Sequence, residues 1–127
     1  HTLTDRVSHG KKLGSTLGFP TVNLRFQPGV LVPAFGVYAT RVFFENGDSR
    51  PAVTNVGVRP TVDDGGRVNV EGFILDFSGD LYGQTIRMEF YKRLRGERKF
   101  PNLEALRSEV MRNAEQTRAY FKRTEER

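Results

Sequence analysis

The chain has 127 residues, enough for one domain around one core. It holds no cysteine, which excludes disulfides and thiolate metal sites and fits a reducing compartment. No apolar run is long enough to span a bilayer and no signal-peptide pattern opens the chain. The net charge of +5 suits a polyanionic partner, nucleotide phosphates as well as nucleic acid.

Thr2 to Ser8 reads as a first strand, with Leu3 and Val7 apolar. His9 to Gly18 is a loop: Gly10, Gly14 and Gly18 recur at four-residue intervals among Lys11, Lys12, Ser15 and Thr16. Backbone N–H groups in such a loop can cup phosphate oxygens. The spacing is neither a P-loop nor the dinucleotide fingerprint, so a plain surface loop is the alternative. Leu17 to Leu24 follows. Gly18 permits a turn, and Pro20 pushes Phe19 toward an extended shape. Thr21 and Asn23 then alternate with Val22 and Leu24, so two neutral oxygens face one side and two apolar groups the core. A hydroxyl beside an amide carbonyl can complete the shell of Mg²⁺ when phosphates and waters supply the rest. The alternative is a turn and a strand with a solvated polar face.

Gln27-Pro28-Gly29 and Pro33 mark an irregular crossing. Gly36 to Glu45 alternates, with Tyr38, Thr40, Val42 and Phe44 on one face and Val37, Ala39, Arg41 and Phe43 on the other. Asn46-Gly47 is a hairpin turn, and the return strand runs from about Arg50 to Val58. Arg59 to Gly66 is a second loop. A third long strand spans about Arg67 to Phe77, Ser78 to Gly83 turns the chain, and Thr85 to Leu94 returns. In that last strand Ile86, Met88 and Phe90 face inward and Arg87, Glu89 and Tyr91 outward. The period then changes. Leu103, Leu106, Val110, Ala114, Thr117 and Phe121 recur at helical spacing, a stripe that reads as core. Asn102 is placed to cap this helix and Glu104 lies in its first turn. The pattern predicts an all-β barrel over about 1–100 with a C-terminal helix over about 102–123.

Among the carboxylates, Glu71 precedes Gly72 inside a strand, where a close backbone approach would let a ligand reach it. An outward, solvated strand Glu is the alternative. His1 and His9 are too few to suggest a metal or catalytic centre. Asp5 and Asp76 have turn or strand explanations.

Gly18-Phe19-Pro20-Thr21-Val22-Asn23-Leu24 resembles the Pro-Thr-Ala-Asn signature of riboflavin kinases, with Val22 in place of the usual Ala. Gly36-Val37-Tyr38, Asn55-Val56-Gly57 with Pro60-Thr61, Asp76-Phe77 through Asp80-Leu81-Tyr82-Gly83, and Arg95 through Lys99-Phe100 match in order. The resemblance covers nearly the whole chain and is greatest to the kinase module of bacterial bifunctional FAD synthetases. It implies a single riboflavin kinase domain over residues 1–127, a six-stranded antiparallel Greek-key β-barrel with a C-terminal helix. It implies transfer of the γ-phosphate of Mg-ATP to the ribityl 5′-hydroxyl of riboflavin, giving FMN and ADP. By the same resemblance Glu71 is the catalytic base, and Thr21 and Asn23 hold Mg²⁺. Gly10, Ser15, Gly18 and Pro20 lie along the ATP, Tyr82 is at the adenine, and Arg95 and Phe100 contact the flavin. Many bacterial members carry Arg where Ser15 stands. The resemblance also implies a cytoplasmic enzyme fused to an N-terminal FMN adenylyltransferase half, with no nucleic-acid or membrane partner. A start at His1 rather than Met fits a piece of a longer protein. That half's α/β pattern does not occur in this sequence, so FMN without FAD is the expected product. Two other classes compete: a nucleic-acid-binding barrel, suggested by charge and aromatic content, and a flavin-binding barrel without phosphotransfer. The second leaves the Thr21 and Asn23 pair unexplained.

Overall fold

The computed structural model describes residues 1–8, 17–26, 31–57 and 68–125. The expected loops at 10–18 and 59–66 therefore fall largely outside the described residues, and Gly10 and Ser15 with them. Among the described residues six strands and one long helix form: β1 Thr2–Arg6, β2 Thr21–Arg25, β3 Gly36–Phe43, β4 Ser49–Gly57, β5 Asn69–Ile74, β6 Thr85–Arg95 and α1 Leu103–Glu125. All pairings are antiparallel, in the order β1-β6-β3-β4-β5-β2. The edge strands approach each other where Ser8 bridges Asn23. The backbone N–H of Arg25 donates to the Asp5 carboxylate at 2.9 Å across the same seam, so the barrel is nearly closed. β3, β4 and β5 follow one another, and β6 returns to lie beside β3, which makes a Greek key.

Alternation divides the core into two layers. Val22, Leu24, Tyr38, Val42, Val56, Val70, Ile86 and Met88 fill the barrel interior. Leu17, Val37, Val53, Phe73 and Leu75 point outward and are covered by Val110 and Ala114 of α1. The faces expected for β3 and β6 are those observed. The Asn46-Gly47 turn forms with Gly47 at φ 88°, and the Gly47 N–H donates to the Phe44 carbonyl at 3.1 Å. Asn102 caps α1 by accepting the Ala105 N–H at 2.8 Å.

Three expectations change. The strand expected over 67–77 ends at Ile74, because Asp76 adopts φ 57° and turns the chain. Its carboxylate then receives Arg118 of α1 at 3.1 and 3.3 Å, and its carbonyl receives Arg50 at 3.3 Å. Leu103 leaves the buried stripe and is 51 % exposed, whereas Glu109 and Asn113 join the buried side. Gly72 does not open space for a ligand beside Glu71. It faces the barrel interior, where an added Cβ would lie 3.0 Å from both Met88 and Val22 and 3.3 Å from Thr54.

Gly72 therefore makes room for core side chains. Gly72→Val should destabilise the protein by about 1–3 kcal/mol by overpacking, despite valine's preference for strands. Urea unfolding measures this, and unchanged or increased stability would contradict the packing assignment.

Candidate active site

Register builds the site from residues far apart in sequence. Asn23 pairs with Glu71, Glu71 with Asn55, Asn55 with Val37, and Val37 with Arg95. These residues form one outward-facing row, with neighbouring Cβ atoms about 4.5–5.5 Å apart. A second row joins Thr21, Phe73 and Val53. Arg95 joins the first row only because the β3–β6 pairing shifts between Val37 and Tyr38 and again between Ala39 and Thr40. Continued without those shifts, the pairing of Phe43 with Arg87 would carry Arg95 past the start of β3. Bulges of this kind re-aim side chains at the rims of barrels.

Between this outer face and α1 lies a cavity of about 490 Å³. Val37, Val53, Phe73, Leu106 and Val110 give it an apolar wall, Asn55 and Glu71 a polar one. Arg95 and the connector Glu97-Arg98-Lys99-Phe100 complete it with mixed charge. The volume suits a small organic ligand held by apolar walls and a few placed polar groups.

Glu71 is half-buried, with its Oε2 cut off from solvent. The Phe100 ring lies near two guanidinium groups, Arg95 at 5.4 Å and Arg98 at 5.0 Å, both within cation–π reach. Arg95 Nε lies 3.0 Å from Glu109 Oε2. Burial lowers the pKa of the Arg95 guanidinium from its ordinary value, while the Glu109 carboxylate acts in the opposite sense.

Glu71, Arg95 and Phe100 thus share one cavity. Thr21 and Asn23 lie beside it on the edge strand β2, on the same face of the sheet as Glu71, and do not line the cavity itself. The Thr21 hydroxyl donates to the Phe19 carbonyl at 3.4 Å. Pro20 lies just before β2, where its carbonyl accepts the Ile74 N–H at 2.9 Å. Gly18 turns at φ 93°, and among the described residues nothing lies within 4 Å of where its Cβ would be. Tyr82 is 53 % exposed in a turn whose Gly83 N–H donates to the Val7 carbonyl at 3.1 Å. That turn therefore lies beside Ser8, the bridge partner of Asn23.

Sequence reasoning gave no role to Asn55, Glu97, Leu106, Val110, Glu109 or Asn113. Leu106 and Val110 belong to the helical stripe read as core, yet they also wall the cavity. Glu109 and Asn113, four apart on the buried side of α1, were the available signal, since polar groups at such positions are rarely incidental. Asn55 stood in the matched Asn55-Val56-Gly57 stretch, and its pairing with Glu71 is what puts it at the site.

Fold and site together define an antiparallel barrel that carries a small-ligand cavity on its outer face, with a half-buried carboxylate in the wall. Residues 1–121 match the Flavokinase family, described as riboflavin kinase, and the chain belongs to that family. It is 40% identical, over 91% of its length, to a bifunctional riboflavin kinase/FMN adenylyltransferase of Haemophilus influenzae, of which the matched stretch covers 37%. It is 35% identical over 99% of its length to the bifunctional enzyme of Listeria monocytogenes, covering 40% of it. The chain thus spans 37% to 40% of the length of these relatives. A riboflavin kinase from Trypanosoma brucei shares the fold, with a TM-score of 0.67 at 23% identity, over 95% of this chain and 79% of that one. A structure described as a macrolide-efflux protein from Streptococcus pneumoniae superposes with a TM-score of 0.80 at 31% identity, over 92% of this chain and 38% of that one.

Proposed function

We propose that this chain is an ATP:riboflavin 5′-phosphotransferase that converts riboflavin and Mg-ATP to FMN and ADP. The observation that carries the reading is the row Asn23, Glu71, Asn55. It sets a half-buried carboxylate between a cavity of flavin size and an edge strand bearing two neutral oxygens.

The donor set fits a magnesium ion that arrives with nucleotide. Among the described residues no three His, Cys, Asp or Glu gather into a cation site. A hard cation here would therefore be held by neutral oxygens, by phosphates and by water. The Thr21 hydroxyl gives its proton to the Phe19 carbonyl, which leaves its lone pairs to face outward. Thr21 and Asn23 would hold the ion, which when bound supplies charge neutralisation of the phosphates.

Riboflavin's ring system would lie against Phe73, Val53 and Phe100, with its ribityl chain leading toward Glu71. Glu71 accepts the proton of the 5′-hydroxyl as that oxygen bonds to the γ-phosphorus. The bond from phosphorus to the ADP oxygen breaks in the same displacement. Such a transfer asks for orientation and a proton acceptor more than for covalent help. Arg95 and Phe100 orient the flavin. Gly10, Ser15, Gly18 and Pro20 would line the nucleotide, with Tyr82 at the adenine. The bifunctional relatives motivate the further reading that the chain is the kinase portion of a cytoplasmic riboflavin kinase/FMN adenylyltransferase.

Incubation with riboflavin and Mg-ATP, followed by separation of the flavins, should show FMN accumulating. Riboflavin left unconverted with ATP intact would reject the reading. Glu71→Gln should lower turnover by roughly 10²–10⁴-fold while riboflavin still quenches normally on binding. Normal turnover in that variant would remove Glu71 from the mechanism. Thr21→Ala and Asn23→Ala should raise the Mg²⁺ concentration needed for half-maximal rate and leave riboflavin affinity in place. Wild-type rates at limiting Mg²⁺ in both variants would refute their assignment.

A further inference from the structure

We propose that Glu109 and Asn113 are positioning residues for the flavin site, acting by holding the Arg95 guanidinium in the cavity wall; this rests on the cavity being where riboflavin binds. The two lie four residues apart on α1, and they are 9 % and 1 % exposed. Both meet the same atom: Arg95 Nε donates to Asn113 Oδ1 at 3.1 Å and forms an ion pair with Glu109 Oε2 at 3.0 Å. The Asn113 amide nitrogen donates to Glu109 Oε2 at 3.3 Å and to Gln116 Oε1 at 2.9 Å. Those two acceptors orient the amide so that its oxygen must face Arg95. Arg95 Nη1 donates to the Gly96 carbonyl at 3.2 Å. Among the described residues, Nη2 makes no hydrogen bond. The guanidinium is therefore fixed through Nε and Nη1, and Nη2 remains to meet an acceptor in the cavity, a ribityl hydroxyl or a flavin carbonyl oxygen.

A seam that served only to attach the helix would not need this chemistry. Apolar residues of similar volume attach a helix as well as a buried ion pair does, or better. The helix is already tied at another point by Arg118 on Asp76, and that pair is far more exposed. Arg98 and Arg112 also reach Glu109, at 3.7 and 3.3 Å. Both of their side chains are mostly exposed, so solvent screens them. Arg95, with its side chain 15 % exposed, is the partner that the buried carboxylate fixes.

The test compares Glu109→Gln, Asn113→Ala, Arg95→Lys and the two doubles with Arg95→Lys, in the whole chain. Riboflavin Kd is read by fluorescence quenching, and KM for riboflavin and for Mg-ATP by steady-state rates. Glu109→Gln and Asn113→Ala should each raise riboflavin Kd and KM roughly tenfold or more, the scale of a hydrogen bond to a charged group. The Mg-ATP KM should hold. Within the Arg95→Lys background, the same substitutions should change riboflavin Kd by no more than about twofold, because their target is gone. Arg118→Ala should lower the thermal midpoint without moving riboflavin Kd. Additive effects, an unchanged Kd in folded variants, or loss of fold in both single variants would overturn the proposal. The Arg95 Nε–H resonance, slow to exchange in wild type and fast in Asn113→Ala and in Glu109→Gln, reports the positioning without any ligand. A wild-type chain that binds no riboflavin would instead reject the functional reading. The resonance would then still decide whether Glu109 holds Arg95, and an unchanged exchange rate would overturn that as well.

Discussion

The pairing of Glu71 with both Asn23 and Asn55 is the constraint on which the site depends. Side chains alternate along a strand, so a slip of one residue in β5 would turn Glu71 into the barrel and bring Gly72 outward. The interior prevents that slip. Val70 and Ile74, on the opposite face of the same strand, are fully buried among apolar neighbours, and Gly72 between them fills a gap that admits no side chain. A charged group in that gap would be desolvated without a partner. The packing of one face thus holds the chemistry on the other.

The same logic explains why the barrel carries its cavity outside. Its interior is small enough for side chains to fill completely, as barrels of few strands are. A polar pair at its centre, Thr40 and Thr54, is satisfied by mutual contact at 2.7 Å. Val37, Val53 and Phe73, outward on β3, β4 and β5, are apolar as well, and α1 packs over them. Where the helix begins, the cover is incomplete. Leu106 and Val110 wall a space instead of filling it, and the connector before Asn102 closes it with charged residues.

Much of this was legible in the sequence. Alternation in β3 and β6, the Asn46-Gly47 turn and the Asn102 cap are local patterns, and local patterns survive folding. The position of Glu71 on an outward face also follows from alternation. Its reason was misread, because adjacency to Gly72 in sequence puts the two on opposite faces in space. Other features depend on pairing and so were hidden. The register shifts in β6 that bring Arg95 to Val37 leave no mark in a string of Tyr91 to Arg95. The strand ending at Ile74 depends on the backbone of Asp76, a residue equally compatible with continuing. The double duty of Leu106 and Val110 is invisible to periodicity, which reports that a face is buried and not what it faces.

The walls of the cavity are held by two different kinds of force, and this separates ligand choice from fold. Glu71, Asn55, Val53 and Phe73 sit on paired strands, so backbone hydrogen bonds fix their positions and the barrel core fixes their faces. Arg95 and Phe100 stand at the end of β6 and beyond it. Side-chain interactions orient them: the Glu109 carboxylate, the Asn113 amide and the stacking of guanidinium on ring. Changes on the first wall disturb pairing or core and cost stability. Changes on the second leave the barrel interior untouched and act on the groups that face the cavity and on the seam with α1. A barrel built this way keeps the Glu71 carboxylate in place while the wall formed by Arg95 and Phe100 is free to vary.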